Sequence, residues 1–545
     1  MSHLGSRPDN QRFGAGLPRR RGTATLLCRS DLEEMGMADE VTAAQRPAAA
    51  LPGPLRARLH GRDGWLLGGG VVAFTVTIAI YVFLIRTHLP QWWMDPVDLR
   101  VYREGGESVR QVAPWYKPHV AAPLYSWPKR ITLKFTYPPF AALVFTVFSL
   151  NTLLVMEKAW VGVNIAAFLI ALWVTFGALG YRKAAVRAGA TLLVGAVVFW
   201  IEPVQRVLFL GQIELVLLAL VLWDMCQSDR RWWKGAGVGI AAGIKLVPLI
   251  FIPYLLLTRR FRQAAVAAGT FVATILLGFA VLPGDSKDWW LHGLFLQGGR
   301  TGFVAWEGNQ SLRAIITRFV GSVNSAAPVW LVVTALAVIV GLGCAALLDR
   351  YGHRMLGLLA CALTGLLVSP ISWDHHWVWI VPAVAVAAHY GVSAIRRSAA
   401  WAALALAALL AGIFGAWPGR LWGQPDDLGS FSRGLIWAPP NTNPNIYYKL
   451  GDRPWYAEYH WHGTQLIVGN LYVLTGIALL VLLAVVTVRA VRNGGRTGVR
   501  PADQAADHPG VQPGEPRSAS TSGQRQQLRL AGDVRGANPP RPGEA

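Results

Sequence analysis

Apolar runs of about 18–22 residues recur along most of this chain, each long enough to cross a hydrocarbon core about 30 Å thick. Such runs can span lipid only as helices, because a backbone in hydrocarbon must satisfy its own hydrogen bonds. A β-barrel would show alternating runs of about 10 residues instead. The 545-residue chain is 53% hydrophobic and only 15% charged, against roughly 25% charged in soluble globular proteins. The expected fold is therefore all-α, a polytopic transmembrane bundle of about 10–13 helices. Apolar segments fall at about 65–85, 139–153, 158–180, 188–201, 207–225, 235–257, 263–282, 328–348, 355–370, 376–394, 400–417 and 464–487.

Three regions follow. Residues 1–63 are polar and Arg-rich and read as a disordered cytoplasmic tail, in which Met35 and Met37 are alternative starts. It is no signal peptide, since the first apolar run begins too late. Residues 64–487 form the transmembrane domain. Residues 488–545, rich in Gly, Pro, Arg and Gln, read as a second disordered tail. The net charge of +21 sits in these tails and in short loops, as the positive-inside bias requires. With no aromatic-plus-basic module present, nucleic acid is not an expected partner. Cys28, Cys226, Cys344 and Cys361 show no metal-ligand spacing, and none lies in a loop assigned to the outside. No structural disulfide is expected.

Basic loops at Arg182-Lys183, Asp229-Arg230-Arg231, Arg259-Arg260, Asp349-Arg350, Arg396-Arg397 and from Arg489 onward are assigned to the cytoplasm. Simple alternation then fails twice. Segment 139–153 is short, and segment 235–257 has basic clusters at both ends. Re-entrant or broken helices remove both conflicts. Lys245 and Pro248 mark the break in the second; the alternative is that a basic loop faces outward. The regions left outside are 86–137, the Glu202–Arg206 turn, 283–327, 418–463 and the corner Ser369–His375. They are rich in Trp, which serves interfacial belts and, at some positions, sugar stacking.

Six short stretches carry polar groups that a plain bundle does not need. In PVDLRVYREGG, Asp98 and Tyr102 share one face of a helix, with Asp98 a general base if desolvated and a solvated loop acid if not. In FTYPPF, two prolines fix the chain as it re-enters lipid, and Tyr137 is either a site residue or an interfacial anchor. In LGQIE, Gln212 and Glu214 lie near the outer end of an apolar span, where ionisable groups are costly and usually functional. Glu214 alternatively pairs with Arg206 or Arg313. In EGNQSLR, Asn309, Gln310, Ser311 and Arg313 head a short amphipathic helix, suited to a phosphate or a polar sugar, or to ordinary capping. In SPISWDHHW, Asp374, His375 and His376 open a helix. Adjacent histidines without an HxxxH or HExxH pattern argue for phosphate or sugar contact over a metal. Lys245, inside a broken apolar stretch, needs an anionic partner or snorkels.

Taken in order, DLRVY, FTYPPF, GQI-x-L, G-x-x-x-A-A-x-I-K-x-x-P, GNQSLR and SP-x-SW-x-HHW resemble the family 87 glycosyltransferases, over about residues 64–395. The resemblance implies the multi-pass GT-C architecture with an active site at the outer membrane face. It implies a polyprenyl-phosphate-sugar donor, a glycolipid acceptor and no cofactor, as in the polyprenol-phosphate-mannose-dependent α-(1→2)-mannosyltransferases. Asp98 maps to the presumed base. Arg313, His375, His376, Asn309, Gln310 and Lys245 map to the donor end, with Tyr102, Tyr137, Gln212, Glu214 and Asp374 as further candidates. One departure is Glu214, where the family often has Asn. The expected chemistry is a single displacement: Asp98 deprotonates the acceptor hydroxyl, the phosphate leaves into a cationic cradle, and the anomeric centre inverts. One base and one cradle suffice, unlike in a glycosidase. No metal is expected, since no DxD-like motif appears. The alternatives are an arabinofuranosyl donor, a protein mannosyltransferase, a lipid transporter, which should show an internal repeat, and a scaffold.

Overall fold

The computed structural model describes residues 61, 63–88, 96–112, 124–125, 133–297, 300–417, 433–440 and 456–496. Both tails up to residue 60 and beyond residue 496 lie outside these, as do Met35, Met37, Cys28, Asp95 and the loop tryptophans Trp92, Trp93, Trp115, Trp127, Trp422 and Trp455.

Every regular element among the described residues is helical: α1 (Asp63–His88), α2 (Val97–Val112), α3 (Pro139–Phe145), α4 (Leu153–Ala178), α5 (Ala184–Val198), α6 (Glu202–Leu210), α7 (Glu214–Met225), α8 (Ala236–Ile244), α9 (Phe251–Leu257), α10 (Phe261–Val281), α11 (Leu312–Val320), α12 (Val323–Arg350), α13 (Arg354–Val368), α14 (Ile380–Ser393), α15 (Arg397–Ile413) and α16 (Leu471–Arg496). Five of them, α1, α4, α10, α12 and α16, are long and apolar enough to cross a membrane, or six if the bent pair α6–α7 is one span. Their outer faces carry bare aliphatic side chains, such as Val332 at 62% and Ile339 at 69% exposed on α12. That is tolerable only where lipid replaces water. α16 runs to Arg496, past residue 487, where the sequence reading ends the domain.

Both topological conflicts resolve as broken elements. A continuous helix across 234–260 would separate its ends by about 39 Å at 1.5 Å per residue. Instead Lys234 at one end and Arg260 at the other both hold Asp229, at 2.6 and 3.2 Å. Arg260 also pairs with Asp349 at 2.8 Å, and Arg354 with Asp229 at 3.2 Å. So α8 and α9 form a hairpin whose basic ends meet in one clasp, as a re-entrant element would. The helix stops at Lys245, which is extended (φ −146°, ψ 127°), and Pro248 opens the return turn. Segment 139–149 packs along α2. Arg103 and Arg110 of α2 donate to the carbonyls of Phe148 (3.0 Å) and Ser149 (2.8 Å) at its far end. Gly106 permits that approach: a Cβ there would fall 2.4 Å from the Phe145 carbonyl oxygen.

The run read as one span from 207 to 225 is bent by 118° between α6 and α7. Gly211 supplies the left-handed backbone (φ 75°) that the bend needs. Gln212 thereby lands in the break, and Glu214 at the head of α7.

Candidate active site

The polar residues gather at the end of the bundle opposite the Asp229 clasp. Asp98 lies in the first turn of α2, with part of its surface open. Tyr102, one turn on, shares its face and is fully buried. The Tyr102 hydroxyl donates to Gln212 Oε1 at 2.7 Å, and the Tyr137 hydroxyl donates to the same oxygen at 3.3 Å. Two phenols on the amide oxygen orient the Gln212 amide, whose NH₂ donates to Asp98. Desolvation is the largest influence on the Asp98 carboxyl and pushes it up to about 6. His375, the Gln212 amide and Lys245 oppose the rise, and Glu214 adds to it.

Beside Asp98 stand Glu214, Lys245, His375 and His376. The Lys245 ammonium is paired with Glu214 Oε1 and lies 2.9 Å from His376 Nε2. An ammonium only donates, so His376 Nε2 is the acceptor and its proton is on Nδ1. Lys245 is also 5.6 Å from the centre of the Tyr137 ring, inside cation–π range. His375 Nδ1–H donates to Asp374 Oδ1 at 3.0 Å. That leaves His375 Nε2 buried with no hydrogen-bond partner, as is Glu214 Oε2. The sequence reading named Arg206 or Arg313 as the alternative partners of Glu214; the structure pairs it with Lys245.

A buried outer layer holds the corner. Arg206 Nε reaches Asp374 Oδ2 at 3.0 Å and Glu202 Oε1 at 3.8 Å. Glu202 accepts from Trp437 Nε1 (3.0 Å) and the Tyr472 hydroxyl (3.1 Å). The GNQSLR segment acts from behind. Asn309 bridges antiparallel to Trp373, and its side chain accepts from Ser372 N (2.9 Å) and donates to the Val304 carbonyl (2.8 Å). Gln310 donates to the Glu307 and Gly469 carbonyls at 2.7 and 2.8 Å. Ser311 caps α11 by accepting from Ala314 N at 3.1 Å. The amides expected at the donor are thus spent on backbone that positions Asp374 and His375. Arg313 is not drawn to the cluster; its guanidinium lies 4.9 Å over the Trp330 ring.

Sequence reasoning left out three buried groups: Glu202 and Arg206 as the outer layer, and Arg318, which donates to the carbonyls of Ala305 (3.0 Å), Trp306 (2.6 Å) and Asn309 (2.7 Å). The ion pair inside the apolar EPVQRV stretch was a usable signal. Arg318 had none, since an arginine in the last turn of an amphipathic helix looks like an ordinary end group.

Chemically the arrangement brings together a carboxyl with a raised pKa, an ammonium with a third N–H to give, and two oriented imidazoles. Comparison with known proteins gives the family. The model of glycosyltransferase family 87 matches residues 135–370. A polyprenol-phosphate-mannose-dependent alpha-(1-2)-phosphatidylinositol pentamannoside mannosyltransferase of Mycolicibacterium smegmatis is 31% identical over 406 residues, 74% of this chain and 90% of the relative. The chain belongs to glycosyltransferase family 87. The protein of the same description from Mycobacterium tuberculosis is 34% identical over 307 residues, 56% of this chain and 69% of the relative. A phosphatidylinositol mannoside mannosyltransferase from that organism, also described as polyprenol-phosphate-mannose-dependent and alpha-(1-2), is 30% identical over 359 residues, 64% and 80% of the two chains. No solved structure matches. This family 87 chain is thus a glycosyltransferase with multiple membrane helices, and DLRVY and HHW both lie beyond the stretch that the family model covers.

Proposed function

We propose that this glycosyltransferase moves a mannosyl residue from a polyprenyl-phosphate donor to a hydroxyl of a glycolipid, with inversion, to form an α-(1→2) linkage. The observation that carries the reading is the proximity of Asp98 to Lys245 and His375, with His376 against the Lys245 ammonium. A base and a cation suited to an anionic leaving group thus stand together. The relatives are described as using that donor and phosphatidylinositol mannoside acceptors, which supports the choice of sugar and acceptor class.

A polyprenyl phosphate is already a good leaving group, so the transfer needs charge stabilisation more than protonation. Lys245 supplies it with its remaining N–H, and Arg206 adds positive charge behind Asp374. Asp98 takes the hydroxyl proton as the oxygen attacks the anomeric carbon; the C–O bond to phosphate breaks with its electron pair on phosphate. In this reading Asn309 and Gln310 keep the corner rigid and Arg313 plays no direct part. The positive-inside bias assigns the basic clasp at Asp229 to the cytoplasm, which supports a site on the external face.

The test is purified protein with polyprenyl-phosphate mannose, polyprenyl-phosphate arabinose and polyprenyl-phosphate glucose offered one at a time, and mass analysis of the glycolipid. The expected product gains one hexose from the mannosyl donor only. A pentose gain would replace the mannosyl reading with the arabinosyl one, and no product from any donor would sink both.

A further inference from the structure

Glu214 Oε1, His375 Nε2 and His376 Nε2 form a ligand set of the kind that holds a divalent transition metal, all within 4.8 Å of one another. Glu214 Oε1 is 3.5 Å from His376 Nε2 and 3.9 Å from His375 Nε2. A tetrahedral zinc centre with bonds of about 2.0–2.1 Å sets its ligands about 3.4 Å apart, so the triad is slightly open. A second observation points the same way. His375 gives its Nδ1–H to the Asp374 carboxylate at 3.0 Å, the carboxylate–histidine support that orients metal-binding imidazoles. Its Nε2 is left buried without a partner. His376 presents its Nε2 lone pair as well. Both imidazoles are therefore held in the tautomer that a metal requires.

The position is already taken. Lys245 Nζ is bound to Glu214 Oε1 and to His376 Nε2. It is delivered there by the break between α8 and the return turn, where the chain is extended rather than helical. A second cation beside an ammonium would meet strong repulsion in so desolvated a place.

We propose that Lys245 is a resident cation: its ammonium sits on two atoms of a Glu214–His375–His376 metal-type ligand set, Glu214 Oε1 and His376 Nε2, and the chain supplies as a side chain a positive charge where a divalent ion would otherwise sit. Glu214 is what makes the set complete. The inference rests on the ligand geometry and holds whichever sugar is transferred. It implies that removing the ammonium converts the centre into a binding site for a divalent transition ion.

The experiment uses full-length protein in detergent, wild type and Lys245→Ser, titrated with Co²⁺ and read by visible absorption of tetrahedral cobalt and by metal content after gel filtration. Wild type should retain no Co²⁺ and Lys245→Ser one equivalent, lost again when Glu214→Gln is added. The melting temperature of Lys245→Ser should rise with Co²⁺ and that of wild type should not, since a ligand that binds only the folded state stabilises it. Lys245→Ala is the second variant, with the same expectation. One equivalent on wild type would overturn the proposal, the ligand set then being an ordinary metal site from which Lys245 steps aside. So would a normally eluting, cooperatively melting Lys245→Ser or Lys245→Ala that holds no metal. One equivalent retained by wild type overturns the proposal even if neither variant folds.

Discussion

At the scale of single residues, the proposed reaction assigns the base to Asp98, and the surroundings of that carboxyl set the pH at which it would work. Its carboxyl is raised to about 6, so the basic form is lost as pH falls through that value. Turnover should climb about tenfold per pH unit below 6 and level off above it. A flat profile between pH 5 and 7 would remove Asp98 as the titrating base. Asp98→Asn should abolish transfer in membranes while insertion and melting stay unchanged; near wild-type turnover would end the assignment. The Gln212 amide acts to lower the Asp98 carboxyl, so Gln212→Leu should move the acid limb to higher pH, and an unmoved limb would show that the amide does not reach it. Much of this was legible in the sequence. Asp98, Tyr102, Gln212, Glu214, Lys245 and His375 stand out because a mostly apolar chain has few reasons to keep such groups. What was not legible is which way a polar side chain turns. Asn309 and Gln310 look the same in a string whether they face a ligand or, as here, carbonyls and amides of their own backbone.

At the scale of elements, close approach and breakage place these residues. α2 lies on the 139–149 segment because Gly106 leaves room for the Phe145 carbonyl. Gly106→Leu has no way to fit, since the obstacle is backbone, and should lift α2 and take Asp98 with it. The expected result is loss of transfer at unchanged membrane content, and normal activity would refute the packing argument. The α8–α9 hairpin depends on its clasp. Asp349→Asn would leave Arg260 half-compensated, with the Asp349 side chain only 8% exposed. Breaking a buried pair costs about 3–5 kcal/mol, which a thermal melt in detergent would register as a clear drop; an unchanged melt would make the pair ornamental. The hairpin was foreseeable because two basic clusters flank one apolar stretch. The 118° bend after Leu210 was not, because Gly211 within an apolar run also fits an unbroken helix.

For the whole molecule, the arrangement requires the Asp229 clasp and the Asp98 pocket to sit on opposite membrane faces. In a background without native cysteines, Ser228→Cys and Arg259→Cys should react with an impermeant thiol reagent from one face of the membrane. Asn324→Cys, at the head of α12, should react from the other. Labelling of residues 228 and 259 from opposite faces would turn the hairpin into a crossing helix and invalidate the topology. The division into long apolar spans was the most readable property, since length and hydropathy alone specify it. The convergence of distant loops was the least readable, because no local pattern records which of them meet. That convergence also has a bearing on biosynthesis. The two oxygens of Glu202 are held by Trp437 and Tyr472, 235 and 270 positions downstream. A nascent chain therefore leaves the ribosome almost entire before the support behind its histidines can form, so fragments released early would be inserted yet inert.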